Sequence, residues 1–345
     1  MDIIDLRSDF LAHATPAMRA AGNAAEHSHH FGLREDPWQR KLEARVAELL
    51  GMQDALVFPT CTMANTTALM LGATPGSCVV TQQGAHVLVS EAGAGAALGG
   101  LLMSAVDAPG PMPPIAAWER ALGTPGDAQR PPARLCVLEN THNRGGGVAL
   151  PADYVEAVVA VARNYGTRLH LDGARLFNAA CALDVAPAAL ASGFDTASVS
   201  LNKGFGAPIA AVLAGSNASI ERALVLRQRL GGGLRPIGPA AAATLAGLTD
   251  FSHIAKTHEL AQRLAAGLAA VTGLDVDEPP RRTNIVIVRA RPPHAAIALC
   301  GRFAARGLQA LPLESDRIRF VTYRDITATD IDRALDIVGG VMRAG

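Results

Sequence analysis

Aromatic side chains are scarce in this sequence, paired cysteines are absent and neither sign of charge is in surplus. Phe, Trp and Tyr make up 4% of the 345 residues, so a core has to be built from Ala, Val, Leu and Ile. Lys+Arg and Asp+Glu both number 31. That balance removes the electrostatic case for nucleic acid or an anionic membrane as the main partner. The five cysteines, Cys61, Cys78, Cys136, Cys181 and Cys300, are scattered and never spaced as CxxC, which argues against a disulfide framework and against a zinc site. The opening MDIIDLRSDF holds three Asp and no apolar run, unlike a secretory signal. The most apolar stretches, around 92–105, 205–215 and 238–248, fall short of the roughly 20 residues a membrane-spanning helix requires. No GxGxxG follows an early strand; Gly231–Gly233 comes after a helical stretch and reads as a stop and turn. The expectation is a cytoplasmic α/β protein.

What is present is an alternation. Short β-rich runs at Ala55–Phe58, Cys78–Thr81, Leu135–Glu139, Arg168–Leu171, Thr196–Leu201 and Ile209–Ala214 are separated by stretches with apolar residues at helical spacing, among them Asp36–Leu50, Tyr154–Tyr165 and Ile220–Leu230. Near-continuously apolar strands between helices indicate a mostly parallel sheet covered on both faces. From about residue 280 the texture changes. TNIVIVRA, a helix near 293–306, RIRFVTY and a final helix from Thr329 read as a small α+β unit. We therefore expect a large domain over 1–250 and a small C-terminal domain over 251–345, linked by a helical region from Pro239 to Val271.

The chemistry concentrates at strand ends. RLHLDGAR places Asp172 at the carboxyl end of an apolar strand, where functional groups gather in open parallel sheets. The next such strand runs into Asn202-Lys203-Gly204. The 31 residues between Asp172 and Lys203 suit one strand–helix–strand step, which delivers an acid and an amine to one sheet edge. Pyridoxal 5'-phosphate needs that pair: a buried carboxylate keeps its ring nitrogen protonated, and a lysine amine carries it as a Schiff base. A phosphate seat is expected where Ala55–Phe58 runs into Pro59-Thr60-Cys61-Thr62, with a helix from Met63 and Thr62 as the alternative N-cap. His86, after the Cys78–Thr81 strand, can stack on a pyridine ring or move a proton. His27, His29 and His30 form a histidine-rich loop in which no metal site is expected.

With these residues in hand, the chain resembles the L-threonine aldolase family of fold-type I pyridoxal-phosphate enzymes nearly end to end. DLRSDF (5–10), EDPWQRKLE (35–43) and LVFPTCTMAN (56–65) match its opening blocks. LENTHN (138–143), LHLDGARLFNA (169–179) and SVSLNKGFGAP (198–208) match its core, and GGGLRPIG (231–238) and IRFVTY (318–323) its end. The resemblance implies that Lys203 is the Schiff-base lysine, Asp172 the ring-nitrogen partner and His86 the stacked histidine. It implies that Arg175 and Arg319 hold the substrate carboxylate with help from Ser8, and that Cys61 and Thr62 bind the phosphate. By the same resemblance His142 lies near the substrate hydroxyl, and Arg235 reaches a phosphate from a neighbouring subunit of a dimer of dimers. Four positions depart from the family pattern. Cys61 replaces a glycine, a tyrosine near Phe31 and Leu33 is missing, Tyr323 replaces a frequent histidine, and Gln228 stands where some members have lysine.

The implied activity is cleavage of the Cα–Cβ bond of L-threonine, L-allo-threonine and related β-hydroxy amino acids to glycine and an aldehyde. His86 and His142 are both candidates for the base. A transaldolase or serine-hydroxymethyltransferase-like transfer is the alternative, and β-elimination to pyruvate and ammonia is a less favoured one.

Overall fold

The computed structural model describes residues 3–25, 31–124, 126–209 and 211–344; His27, His29 and His30 lie outside them. Strands are numbered in chain order: β1 (Ile4–Asp5), β2 (Asp54–Phe58), β3 (Cys78–Thr81), β4 (Leu102–Ala105), β5 (Ala133–Glu139), β6 (Arg168–Gly173), β7 (Thr196–Ser200), β8 (Ala211–Gly215), β9 (Leu274–Val276), β10 (Ile285–Ala290), β11 (Leu308–Gln309), β12 (Leu311–Pro312) and β13 (Arg317–Val321). Seven of them form one sheet in the order β2-β8-β7-β6-β5-β3-β4. β7, β6, β5, β3 and β4 pair in parallel, β8 is antiparallel to both neighbours, and β2 therefore points the same way as the parallel five. All six expected strands are present. β4 is missing from the sequence reading because its residues, LMSA, alternate weakly and it lies half-exposed at the sheet edge.

Local signals explain the flanking helices. Asp36 caps the helix Pro37–Leu50 by accepting the N–H groups of Trp38 and Gln39, Pro37 opens it, and Gly51 ends it at φ 64°. Its buried face recurs at Gln39, Leu42, Glu43, Val46 and Leu50, the spacing a helix needs to meet a sheet. The central sheet's core takes in Leu42, Val46, Val57, Leu138, Leu171, Val199 and Val212. Trp118 is fully buried in that core. Among the described residues no helix is long and apolar enough to cross a membrane.

A second core gathers Leu264, Leu268, Val286, Phe303, Phe320 and Val338 around the antiparallel sheet β12-β13-β10-β9. The linking region is two helices, not one. Gly238–Gly247 packs Ala241 and Ala243 into the first core, the chain breaks over 248–251, and Ser252–Ala269 carries Ala261 and Leu264 into the second. The first residues of the chain also belong here: β1 pairs in parallel with β11, and Ile4 and Leu6 are buried in the second core. We propose a division of the chain at that break, with Ile4–Leu6 counted on the C-terminal side.

Candidate active site

The carboxyl ends of β2, β3, β5, β6 and β7 all reach the same edge of the large sheet. The chain turns outward from β3 to β4 and then crosses back to β5 and β6, which puts the switch point between β3 and β5, the place where open α/β sheets bind ligands. Glu139 ends β5, and its Oε2 accepts the backbone N–H of His86, which follows β3, at 2.5 Å. Register then sets Glu139 beside Asp172 and Asp172 beside Ser198. Gly173 allows this packing, since a Cβ there would stand 2.7 Å from the Ser198 carbonyl oxygen.

Asp172 is buried and accepts from Asn65 Nδ2 at 2.9 Å and from the Ala174 N–H at 3.2 Å. The same Asn65 nitrogen donates to Glu91 Oε1 at 2.8 Å, and that oxygen also pairs with His86 Nδ1 at 2.8 Å. Burial works against a charge on His86, but the Glu91 hydrogen bond and the charges of Asp172 and Glu91 outweigh it and raise its pKa. Burial, reinforced by the charge of Asp172, also raises Glu91. His86, Glu91 and Asp172 bring ligand atoms within 4.8 Å of one another, with Glu91 engaged by His86 and both carboxylates bridged by Asn65. Lys203 is buried, and its ammonium stands 5.1 Å from the centre of the Phe10 ring. Cys61 gives its thiol to Ser198 Oγ at 3.8 Å, and burial together with the charge of Asp172 pushes that thiol up to about 12.

A second group lies beside it. Arg175 forks onto Asp9, with both bonds at 2.7 Å, and gives a further N–H to Asn143 Oδ1 at 3.2 Å. Arg319 donates to the same Asn143 oxygen at 2.9 Å and to the Arg7 carbonyl at 3.0 Å, leaving its buried Nε without a partner. Burial and the charge of Arg175 pull Arg319 down to about 10. Burial opposes ionisation of Asp9, but the charge and hydrogen bond of Arg175, with the charge of Lys203, hold it at about 2. Ser8 caps the short turn that carries Asp9, accepting the Phe10 N–H at 3.3 Å. The Asp9 carbonyl accepts the Gly204 N–H at 2.8 Å, so the start of the chain braces the Lys203 loop. His142 is buried; its Nδ1 accepts the Gly145 N–H at 3.0 Å, which leaves the ring proton of the neutral form on Nε2. Among the described residues that Nε2 has no partner.

The fold thus brings Lys203, Asp172, His86, His142, Arg175, Arg319, Ser8 and Cys61 to one edge. Thr62 comes with Cys61 at the start of the helix Cys61–Gly72, which begins two residues earlier than expected; its N-cap is Thr60, whose hydroxyl accepts the Met63 N–H, and not Thr62. Cys61 is tolerated in place of glycine because it sits in helical backbone; the non-glycine residues at positive φ among those described are Ala92 and Asp184. Arg235 is not brought in: it is exposed, stands over the Phe31 ring at 5.1 Å and donates to the Phe31 carbonyl. The sequence reading passed over Asp9, Asn65, Glu91, Glu139 and Asn143. Four of these lie inside quoted blocks, in DLRSDF, LVFPTCTMAN and LENTHN; Glu91 lies in none.

The Beta-eliminating lyase family matches residues 5–291. The chain is 36% identical over 342 residues to low-specificity L-threonine aldolase 1 of Arabidopsis thaliana, covering 97% of this chain and 95% of that one. It is 33% identical over 332 residues to the low specificity L-threonine aldolase of Escherichia coli K12, covering 94% and 95%. The chain belongs to the L-threonine aldolase family. Solved threonine aldolase structures share its fold. That of Leishmania major superposes with a TM-score of 0.83 at 20% identity, covering 98% of this chain and 99% of the other. A putative L-allo-threonine aldolase from Listeria monocytogenes gives 0.79 at 20% identity, covering 98% and 96%.

The residues present fit the cofactor that a threonine aldolase uses. A buried carboxylate and a buried amine end adjacent parallel strands, and an imidazole lies within reach of that carboxylate's charge. Glu91 Oε2, His142 Nε2 and Arg319 Nε are buried polar atoms that no group among the described residues satisfies.

Proposed function

We propose that this chain is a pyridoxal-phosphate carbon–carbon lyase that cleaves L-threonine, L-allo-threonine and related β-hydroxy-α-amino acids to glycine and an aldehyde. The observation that carries the reading is the delivery of Asp172 and Lys203 by adjacent parallel strands to one edge, beside two arginines that share Asn143.

Asp172 would hold the ring nitrogen, Lys203 the aldehyde carbon, His86 one ring face, and the free N–H groups of Cys61 and Thr62 the phosphate. Bound there, the cofactor supplies an electron sink for the pair left at Cα when the Cα–Cβ bond breaks. Arg319, with an unused Nε, receives the substrate carboxylate, and Arg175 lines the same wall through Asn143. Ser8, next to the carbonyl that Arg319 holds, closes that corner. Clamping the carboxylate fixes which bond at Cα stands across the ring. His86, oriented through Nδ1 by Glu91, takes the β-hydroxyl proton at Nε2. His142 donates its Nε2–H toward the substrate hydroxyl oxygen and holds it in place. Cα then receives a proton, so the products sum to the substrate.

Incubating the holoenzyme with L-threonine, without an added acceptor, is expected to release glycine and acetaldehyde in equal amounts. Dependence on an added aldehyde would favour the transfer alternative, and pyruvate would indicate elimination. Lys203→Ala is expected to abolish both turnover and the absorbance of bound cofactor. Unchanged absorbance in that variant would sink the assignment.

Assembly as a dimer of dimers in the cytoplasm belongs to the same reading. Apolar Phe10 and Phe31 are 54% and 84% exposed, Phe10 stands over Lys203, and exposed Arg235 is engaged by Phe31; each suits a neighbouring subunit. Sedimentation analysis of the holoenzyme tests it, and a monomer with full activity would refute it.

A further inference from the structure

We infer that Asn65 is a positioning residue that ties the ring-nitrogen partner Asp172 to the His86–Glu91 pair, so that the two functional groups are set by one amide. The inference rests on the cofactor reading above and concerns Asn65, to which that reading gives no role.

Asn65 sits in the second turn of the helix Cys61–Gly72, fully buried, where nothing solvates its amide. All four of its hydrogen-bonding positions are used. Nδ2 donates to Glu91 Oε1 at 2.8 Å and to Asp172 Oδ2 at 2.9 Å. Oδ1 accepts from the Ser198 hydroxyl at 2.6 Å and pairs with His170 Nε2 at 3.2 Å.

The neighbours dictate this orientation. Ionised carboxylates only accept, so the NH2 end must face them. The Ser198 hydroxyl, donating at 2.6 Å, fixes the oxygen end from the other side, and the His170 ring, whose Nδ1 lies 2.9 Å from the Thr196 hydroxyl and 3.2 Å from the Thr196 carbonyl, closes the pocket around it.

The consequence is electrostatic as well as geometric. Two like-charged buried carboxylates repel and favour protonation of one of them. One N–H to each offsets that tendency and fixes which oxygen of each is engaged. Asp172 keeps its other oxygen for the Ala174 N–H. Glu91 holds His86 with the oxygen that Asn65 polarises, and its second oxygen has no partner among the described residues. The charged groups that act on His86 are Glu91, Asp172 and Lys203, with Glu139 on its backbone N–H. Removing Asn65 therefore raises Glu91 further, weakens the hold on His86 and loosens Asp172 together.

The test compares wild type, Asn65→Ala and Glu91→Gln by three measurements: the dissociation constant of pyridoxal phosphate, the pH titration of its absorbance when bound, and the pH profile of kcat/KM. For Asn65→Ala we expect cofactor affinity to fall at least about tenfold, the range of a lost hydrogen bond to a buried charge. The limb that reports His86 should also move to lower pH. For Glu91→Gln the limb should move with cofactor affinity nearly unchanged. A uniform drop in kcat with an unmoved profile and wild-type cofactor affinity in Asn65→Ala would overturn the inference. Should that variant not fold, Ser198→Ala removes only the hydroxyl that orients the amide. A smaller shift in the same direction is then expected, and no shift refutes the coupling. Borohydride reduction separates the two levels. Absence of cofactor fixed to Lys203 in wild type sinks the parent reading, whereas labelled wild type with unmoved variants sinks only this one.

Discussion

Arg175 and Asp9 meet through two hydrogen bonds of 2.7 Å, Nε to Oδ2 and Nη2 to Oδ1, with neither side chain open to solvent. The guanidinium assigned by family resemblance to the substrate is thus already engaged by a carboxylate 166 residues earlier. Its neighbour Arg319 forms no ion pair among the described residues and donates to the Asn143 amide oxygen and the Arg7 carbonyl. The two arginines should therefore separate in experiment.

Arg319→Ala is expected to raise KM for threonine about a hundredfold, the scale of a lost charged contact to substrate, with a small change in melting temperature. Arg175→Ala is expected to destabilise the fold by about 3–5 kcal/mol as well, because it strands a buried carboxylate. Steady-state kinetics beside thermal unfolding checks both. Equal stability losses in the two variants would contradict the asymmetry.

Asp9 also sets an acid limit. Its carboxyl ionises at about 2 in the fold against 3.8 in an open chain, so below 3.8 the unfolded chain binds the proton first. The stabilisation, about 2 kcal/mol, is fully present above pH 4 and is lost as pH falls toward 2. Denaturant unfolding across that window should show the slope, and Asp9→Asn should flatten it.

Three histidines act at milder pH. Burial lowers His170, His253 and His258 to about 4, with Arg324 adding to the effect at His253. From pH 6.5 downward the unfolded chain gains protons that the folded chain refuses. Stability should therefore decline between pH 6.5 and 4, before Asp9 contributes. A flat stability profile over that interval would contradict the burial of these rings.

His142 and His86 should behave differently when replaced. Gly145 occupies Nδ1 of His142, so the ring is a donor at Nε2. His142→Gln, which keeps an N–H, should retain more activity than His142→Phe, and neither should displace the pH limb. His86→Asn should remove that limb. A limb lost with His142 instead would reverse the assignment.

Much of this is legible in the sequence. Period and apolar runs place β2, β3, β5, β6, β7 and β8, because strands covered on both faces are written as largely apolar segments. Asp172 and Lys203 were legible because strand ends and a one-step separation fix them. Thr60 was overlooked as the cap because three of the four residues from 59 to 62 can end or begin a turn. Asn65, Glu91 and Asn143 were invisible as a set. Their roles arise from bonds across 26, 107 and 176 residues, and nothing local distinguishes a buried bridging amide from a surface one.

The pairing of β1 with β11 joins Ile4 to Leu308, and the residues just after β1 brace the Lys203 loop. No nascent chain shorter than about 308 residues can make that pairing, however early the large sheet forms on the ribosome. Closing so long a ring carries an entropic penalty that local contacts do not meet. The strand that leads into Ser8 and Asp9 is therefore secured only once Leu308 has been made, long after the strands that deliver Asp172 and Lys203.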